Sequence, residues 1–596
     1  MAIQTITVVA PTGGVNTIAP PSGMPATDCV SAENLIPAEY GLRVRLGYRE
    51  HVTGMTGNSD TVVRTVVPFV GSKADGSTNK IFAMTETGIW DCTVSSGTPS
   101  QITAFSVDSG RAGYGTFLIY SLPDGDRILL YCDEENGLFA WREGGSSFSL
   151  VPSGTRLPWQ TITIYSVGMK VVNGSKVYTC TTGGVSAGSG GPTGTGTGIA
   201  DGSVVWDYVG AEDTTAIGPN YSAQSLGLTL DCTKLVQVCA WKSRLFFVEK
   251  DTTRAWYLDT SIVAGVATAF DFGIKMRTGG YLVGLYNFSY DAGAGMDTQL
   301  VGLSSNGDIV QYSGSDPNSA DTFTIAGVWS CGALPSGRRV ATEFGGDLLI
   351  LSLTGLVALS QLVVNGQRAV YLTEKIANGF STTASAVKDV PGWSVFIHPT
   401  DNALVITIPT NAVSPTNQLA YSLSTKGWFY YRNLPLTSAA VMNGVVYFGT
   451  SDGRLCINDG YVDNVSRTDP TVFSAIQFAL VSSFTDLGKP NRKRIREFIV
   501  NLLTQSANVP LNIEARYDFN IYPPAPPTGA AASNAAAAWD SATWDQSVWQ
   551  ADYSAVQQRY GAGGEGRKMG YAISGYAAAR TVFSAIDVFF EVGGFA

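Results

Sequence analysis

Two histidines, His51 and His398, are all the imidazole that this 596-residue chain contains. A multi-histidine metal site is therefore out of reach, and a nucleophile–histidine pair has little material. His-Glu-x-x-His does not occur, and Gly-x-Ser-x-Gly occurs twice, at Gly184 to Gly188 in a Gly- and Ser-rich tract and at Gly449 to Gly453 in a predicted hairpin turn, neither of them at the strand-to-helix turn that the hydrolase signature requires. The run Asp133-Glu134-Glu135 could supply the paired carboxylates of a glycoside hydrolase. It adjoins the turn Asn136-Gly137, however, and reads as a solvated loop. Eight cysteines at 29, 92, 132, 180, 232, 239, 331 and 456 form no Cys-x-x-Cys pair, so reduced, mostly buried thiols are expected rather than a zinc ribbon or a disulfide framework. The stretch Gly190–Gly196 lacks the Gly-Lys-Ser/Thr ending of a phosphate loop and reads as a flexible loop. The expectation is a chain with no cofactor and no catalytic activity.

Binding chemistry has more candidates. Trp159, Tyr165, Trp206 and Tyr208 fall within some fifty residues and could offer flat π-surfaces to a sugar ring. A module of that size also needs its aromatics for its own core, so both readings stand. The run Lys489 to Arg496, with Arg492, Lys493 and Arg494, is the densest positive stretch. It reads as a solvated edge, with a DNA or adaptor contact as the other reading. In Gly41 to Tyr48, Leu42, Val44 and Leu46 alternate with Arg43, Arg45 and Gly47, giving one apolar and one cationic strand face. Arg43 and Arg45 then line either a solvated edge strand or a contact between subunits. A formal net charge of -10 argues against a protein that grips nucleic acid.

The elements that must position these residues are β-hairpins. Val445 to Ile457 reads as strand, turn at Asp452-Gly453, strand. The same pattern recurs at Ile81–Trp90, Ile128–Trp141, Leu300–Val310 and Leu348–Leu359, with looser copies at Leu245–Leu258 and Val395–Ile408. Glycine at the corner of the five closer copies accepts the positive φ that a tight hairpin demands. Once an insertion at 158–210 is set aside, the seven turns recur at steps of about 47 to 62 residues. A strand pair cannot bury its own apolar face, so a period of this kind predicts an all-β fold built on a β-propeller of six or seven blades. A stacked β-sandwich with accidental spacing is the alternative.

The chain divides into an N-terminal arm and strand (1–60), a first propeller part (61–157), the inserted aromatic β module (158–210), a second propeller part (211–460) and a C-terminal β domain (461–596). A hairpin at Gln418–Tyr430 reads as the outer half of a sheet, and an N-terminal strand as the closure of the ring. Leu348 to Val364 is uncharged over seventeen residues, but Thr354-Gly355 falls at a predicted turn, so it reads as a buried hairpin and not a membrane span. The first basic residue is Arg43, and no export leader is expected.

Several of these motifs together carry a resemblance. Gly14-Val15-Asn16, Pro25-Ala26-Thr27-Asp28, Asn34-Leu35-Ile36-Pro37 and Gly41-Leu42-Arg43-Val44-Arg45-Leu46-Gly47-Tyr48 resemble, in order and spacing, the start of the tail nozzle proteins of short-tailed bacteriophages, also called tail tubular protein B. Trp539, Trp544 and Trp549, spaced by five residues, resemble the C-terminal part of the same family. The inserted module resembles the small chitin-binding modules of bacterial chitinases. The nozzle resemblance implies a structural virion protein, assembled in the host cytoplasm. It further implies a homohexameric tube beneath a tail adaptor ring, with tail fibres or spikes as further partners, that closes the tail and conducts double-stranded DNA during ejection. Asn34, Pro37, Gly41, Arg43, Arg45, Gly47, Tyr48 and the three tryptophans are the residues that carry it. The competing expectation is a β-propeller that binds or hydrolyses host surface polysaccharide.

Overall fold

A computed structural model describes residues 3–95, 98–122, 125–151, 156–211, 218–222, 230–291, 296–319, 321–365, 370–411, 413–506, 508–528 and 554–593. Seven sheets with antiparallel cores follow one another along the chain, the third with an added parallel strand, Gly218–Ser222, and the sixth as part of a larger sheet. Their first strands are Thr65–Phe69, Gly115–Ser121, Leu235–Trp241, Leu282–Asp291, Ala341–Phe344, Ser394–His398 and Leu436–Met442. Each of these contacts the next, and the last returns to the first, so the sheets are the blades of a closed seven-bladed β-propeller. All seven hairpins expected from the sequence lie within these blades: five are the middle strand pairs, Leu348–Leu359 is the outer pair of the fifth blade, and Val395–Ile408 is the inner pair of the sixth.

The turn chemistry is that of the sequence. Gly137, Gly307 and Gly453 take positive φ at three of the corners, and a Cβ on Gly307 would lie 2.0 Å from the Gly332 carbonyl oxygen, so the corner also lets two loops touch. Polar side chains at the end of the second strand fix the third. Thr85 Oγ1 accepts the Trp90 indole N–H at 2.9 Å, and Glu249 Oε2 accepts that of Trp256 at 2.9 Å.

Among the described residues the fifth blade has three strands, Ala341–Phe344, Asp347–Ser352 and Gly355–Ala358, and runs on into a helix, Leu359–Asn365. The apolar run from Leu348 is thus a hairpin followed by a short helix, and no helix among the described residues is long and apolar enough to cross a membrane. The Gln418–Tyr430 hairpin forms the outer half of the sixth blade. The seventh takes its outermost strand, Arg49–Val52, from the start of the chain, pairing Val52 with Leu455 and Arg49 with Ile457. That pairing closes the ring by strand exchange between the two ends of the propeller sequence.

Residues 156–211 fold apart from the blades. Strands Arg156–Pro158, Lys170–Asn173, Lys176–Thr182, Ile199–Asp201 and Val204–Ala211 make a five-stranded sheet around Tyr165, Val171, Tyr178, Val204 and Trp206.

The two ends of the chain build one terminal domain together, so the N-terminal arm is not a separate unit. One sheet joins Ile3–Val9, Leu35–Ala38 and Gly41–Val44 to Thr581–Val592, Lys493–Thr504, Ser554–Gly561 and Glu565–Gly566. The other joins Asp28–Glu33 to Ile476–Ser482, Met569–Ala577 and Leu511–Tyr517, and continues through Glu33 and Tyr430 into the sixth blade. Leu35, Val44, Leu480, Val500, Ile573 and Phe583 fill the space between the sheets, leaving a gap of only about 10 Å³.

Candidate functional site

The most elaborate polar arrangement lies where the terminal domain meets the last two blades, and it is built from the N-terminal motif. Asn34 takes a left-handed φ of 57°, which asparagine tolerates, and turns the chain between the two sheets. Its amide nitrogen donates to the Gln477 carbonyl at 2.7 Å, and its Oδ1 accepts from Arg45 Nε at 2.9 Å and from the Arg432 backbone N–H at 2.7 Å.

Arg45 is 1% exposed. Its Nη1 and Nη2 clasp Asp463 at 2.8 and 2.7 Å. The second hydrogens of these nitrogens reach the carbonyls of Leu46 at 2.8 Å and Arg432 at 3.3 Å. With Nε on Asn34, all five guanidinium N–H donors are used, the condition under which a charge can be buried.

Two residues earlier, Arg43 pairs with Asp401, which also accepts the Tyr431 hydroxyl at 2.7 Å. Burial works to raise the Asp401 carboxyl, but the neighbouring His398, the Arg43 charge and the Tyr431 hydrogen bond outweigh it and hold the group below the usual carboxylate range. Burial and the neighbouring Asp401 push the Tyr431 phenol well up. The Asp401 backbone N–H donates to His398 Nδ1 at 3.2 Å, and His398 Nε2 meets Asn458 Oδ1 at 2.6 Å. Asn458 Nδ2 donates to the Gly47 carbonyl at 2.7 Å, which fixes its amide and makes His398 Nε2 the donor to Asn458 Oδ1.

The remaining motif residues complete the joint. A Cβ on Gly47 would lie 1.9 Å from the Val462 carbonyl oxygen, and one on Gly41 would lie 2.1 Å from that of Phe583. Tyr48 sits edge-on to Phe448 with ring centroids 5.5 Å apart. Pro37 lies opposite Leu42 on an outer strand, where its missing N–H costs no ladder bond. Arg43 and Arg45 are therefore neither a solvated edge nor a subunit contact, as their alternation with apolar residues suggested. Two buried carboxylates far away in sequence answer them. Trp539, Trp544 and Trp549 lie outside the described residues.

The other candidates are placed as follows. Trp206 is 0% and Tyr165 2% exposed, packed edge to face at 4.9 Å. The indoles of Trp159 and Trp206 both donate to Asp201 Oδ2, at 2.6 and 3.0 Å. Trp159 and Tyr208 are half-buried against the same core, so the four rings hold the module together and do not form a common platform.

Asp133 and Glu134 are buried rather than solvated. Asp133 accepts from the backbone N–H groups of Gly113, Glu135 and Asn136 and from the Tyr131 hydroxyl. Burial nonetheless raises its carboxyl to about 6. In the basic run, Lys493 is 1% exposed and donates to the carbonyls of Lys489, Asn491 and Arg567 at 2.7–2.8 Å. Burial lowers its pKa. Arg492 and Arg496 pair with Glu565 and Glu591 at the surface.

The propeller axis holds a cavity of about 580 Å³ lined by residues of all seven first strands, among them Gln237, Asn287, Arg338, Arg339, Glu343 and Ser394. Part of this lining is structural. Gln237 exchanges two hydrogen bonds with the Leu285 backbone, at 2.8 and 3.1 Å, and so bridges the third and fourth blades. Arg338 donates to the carbonyls of Leu282 and Val283.

His398 is engaged at both ring nitrogens within the joint, and His51 Nε2 meets the Cys92 carbonyl at 3.0 Å. All eight cysteines are buried, and burial drives up the thiols of Cys29, Cys92, Cys132, Cys180, Cys239, Cys331 and Cys456, which keeps these seven unreactive. Among the described residues no group of three His, Cys, Asp or Glu is placed to hold a metal ion. Sequence reasoning missed Asp401, Asp463, Asn458 and Asp201. Asp401 and Asp201 were visible only as turn residues, and Asp463 and Asn458 carry no local signal.

The chain matches no protein-family model and no curated protein. Among solved structures it is similar to the computationally designed Ika8 protein, at 11% identity over 69% of this chain and 99% of that one, with a TM-score of 0.34. It is also similar to YCF48 bound to D1 peptide, at 9% identity over 68% and 97% with a TM-score of 0.25. A third similarity is to Raptor of Chaetomium thermophilum, at 9% identity over 69% and 28% with a TM-score of 0.33. With TM-scores this low, the blade assignment rests on the strand pairing within this chain.

Proposed function

We propose that this chain is a structural subunit of a short-tailed phage tail, a nozzle protein whose copies surround the path of the genome. The observation that carries the proposal is the joint at Asn34, Arg43 and Arg45. The residues through which the chain resembles the nozzle family are spent on locking the two chain ends, the terminal sandwich and the last two blades into one body. A sheet that runs unbroken from the sixth blade into the terminal domain adds to that stiffness. Such a body holds a fixed shape under load and offers no hinge at which to close on a substrate.

The net charge of -10 per copy supports the same reading, because acidic walls repel DNA phosphates and let a duplex slide without sticking. The competing reading, a propeller acting on surface polysaccharide, loses its best support with the burial of Trp206 and Tyr165.

The test is purification of the chain and imaging of its assemblies with the tail adaptor. Six-fold rings that dock on the adaptor are expected. A monomer that binds DNA tightly and in a salt-sensitive way overturns the proposal.

A further inference from the structure

The seven-stranded sheet of the terminal domain ends in two strands that are paired on one side only among the described residues. Ile3–Val9 pairs with Thr581–Val592 alone, and Ser554–Gly561 with Lys493–Thr504 alone. Free edges are ordinarily guarded by lysine, proline, a bulge or a covering element. Ile3–Val9, IQTITVV, has no charge and no proline, and Ser554–Gly561 has a single charge, Arg559. Ile3 and Val9 are each 59% exposed.

The two edges are complementary in three respects. Ile3–Val9, Thr581–Val592, Lys493–Thr504 and Ser554–Gly561 are successive antiparallel neighbours, so the first and last run in opposite directions. A second copy in the same orientation would bring its Ile3–Val9 antiparallel to Ser554–Gly561 of the first. The lengths match, at seven and eight residues. The faces match as well, since Ile6, Val8 and Tyr560 all pack on one core, whereas Thr5, Thr7, Gln557 and Arg559 point to the other side, where they are exposed.

We infer that copies of this chain join edge to edge, with Ile3–Val9 of one completing the sheet of the next at Ser554–Gly561. Matching core-facing with core-facing residues leaves one register with full overlap: Ile6 opposite Gln558, Thr7 opposite Gln557 and Thr5 opposite Arg559. Within one copy, Ile6 lies in the same cross-sheet row as Tyr560, through Val588 and Phe498. The pairing therefore staggers each copy by two residues, and stagger of this kind is what lets a sheet close on itself. Contact between two different edges is head to tail, and it makes a ring when the rotation closes. The number of copies rests on the function proposed above. The pairing rests on the edges alone.

The test is disulfide cross-linking of the full chain carrying Thr7→Cys and Gln557→Cys, both exposed positions. Mild oxidation is expected to give a ladder of linked multimers that each single variant lacks. Thr5→Cys with Arg559→Cys should repeat it, and the mismatched Thr7→Cys with Arg559→Cys should link at least tenfold more slowly. If both matched pairs fold with the wild-type melting temperature and stay unlinked, the inference is overturned. Unlinked rings that still dock on the adaptor would overturn the strand pairing and leave the nozzle reading standing. Linked multimers that ignore the adaptor would do the reverse.

Discussion

Removing the Asp463 carboxylate probes the joint directly. Asp463→Ala acts on an Arg45 side chain that is 1% exposed. Its Nε remains on Asn34, and one hydrogen of each terminal nitrogen remains on a backbone carbonyl. The other two N–H donors and the whole positive charge are left unanswered. Breaking a buried ion pair from one side costs about 3–5 kcal/mol. The Asp463 side chain keeps 11% of its surface exposed, so entering water softens the loss toward the lower end.

What a melting experiment reads depends on the unfolding unit. At roughly 2.1 cal/mol/K per residue, about 3 kcal/mol lowers Tm by roughly 2–3 °C if the whole chain unfolds together. If a terminal unit of about 150 residues melts alone, the same loss lowers Tm by roughly 10 °C. Differential scanning calorimetry with limited proteolysis separates the two cases. Arg45→Met with Asp463→Leu, which removes both charges, should recover most of the loss. A single variant within about 0.5 kcal/mol of wild type, or a double variant less stable than the single, would refute the reasoning.

Other consequences are quicker to check. Trp206→Ala should cost about 3–5 kcal/mol, more than a module of this size can spare, so trypsin should cut within 156–211 while the blades stay resistant. An intact module would show that the four rings are not its core. Asp133, raised to about 6 by burial, holds a proton in the folded state that the unfolded chain has already lost. Its contribution to stability therefore falls as pH rises from about 4 to 6, by about 3 kcal/mol across that window. Asp133→Asn should flatten the pH slope of stability in that window despite a lower baseline, and an unchanged slope would remove Asp133 as its source. Gly47→Ala, whose Cβ would sit 1.9 Å from a carbonyl oxygen, should lower Tm by an amount equivalent to about 2 kcal/mol or more, which calorimetry can read.

What the sequence showed and what it hid follow from the range of the forces involved. The seven hairpins were legible because a tight corner needs a residue that accepts positive φ, and because strand residues next to it in sequence are also next to it in space. The insertion was legible as a break in that period. The fate of Arg43 and Arg45 was not, because their partners Asp401 and Asp463 lie 358 and 418 residues away, and alternation with leucine looks the same whether the opposite face meets water or a carboxylate. Asp133 was misread for a related reason. An acidic run beside a turn is usually solvated, and only the neighbouring blades bury this one. The helix Ala377–Ala386, ANGFSTTASA, buries just Phe380 and Ala384, too few for a helical period to show.

The seventh blade borrows Arg49–Val52 from the start of the chain to finish a sheet whose other strands lie at Leu436–Asn458. During synthesis that early segment must wait while roughly four hundred residues emerge, at about 5–20 residues per second, before its partner exists. For some tens of seconds the nascent ring is a horseshoe with raw β edges at both tips. The uncharged strand at Ile3–Val9 waits longer still, because Thr581–Val592 follows it only after roughly 570 residues. Self-association in that interval would couple unfinished chains, which favours a cell in which chaperones hold the growing polypeptide and copies meet only after the circle has shut.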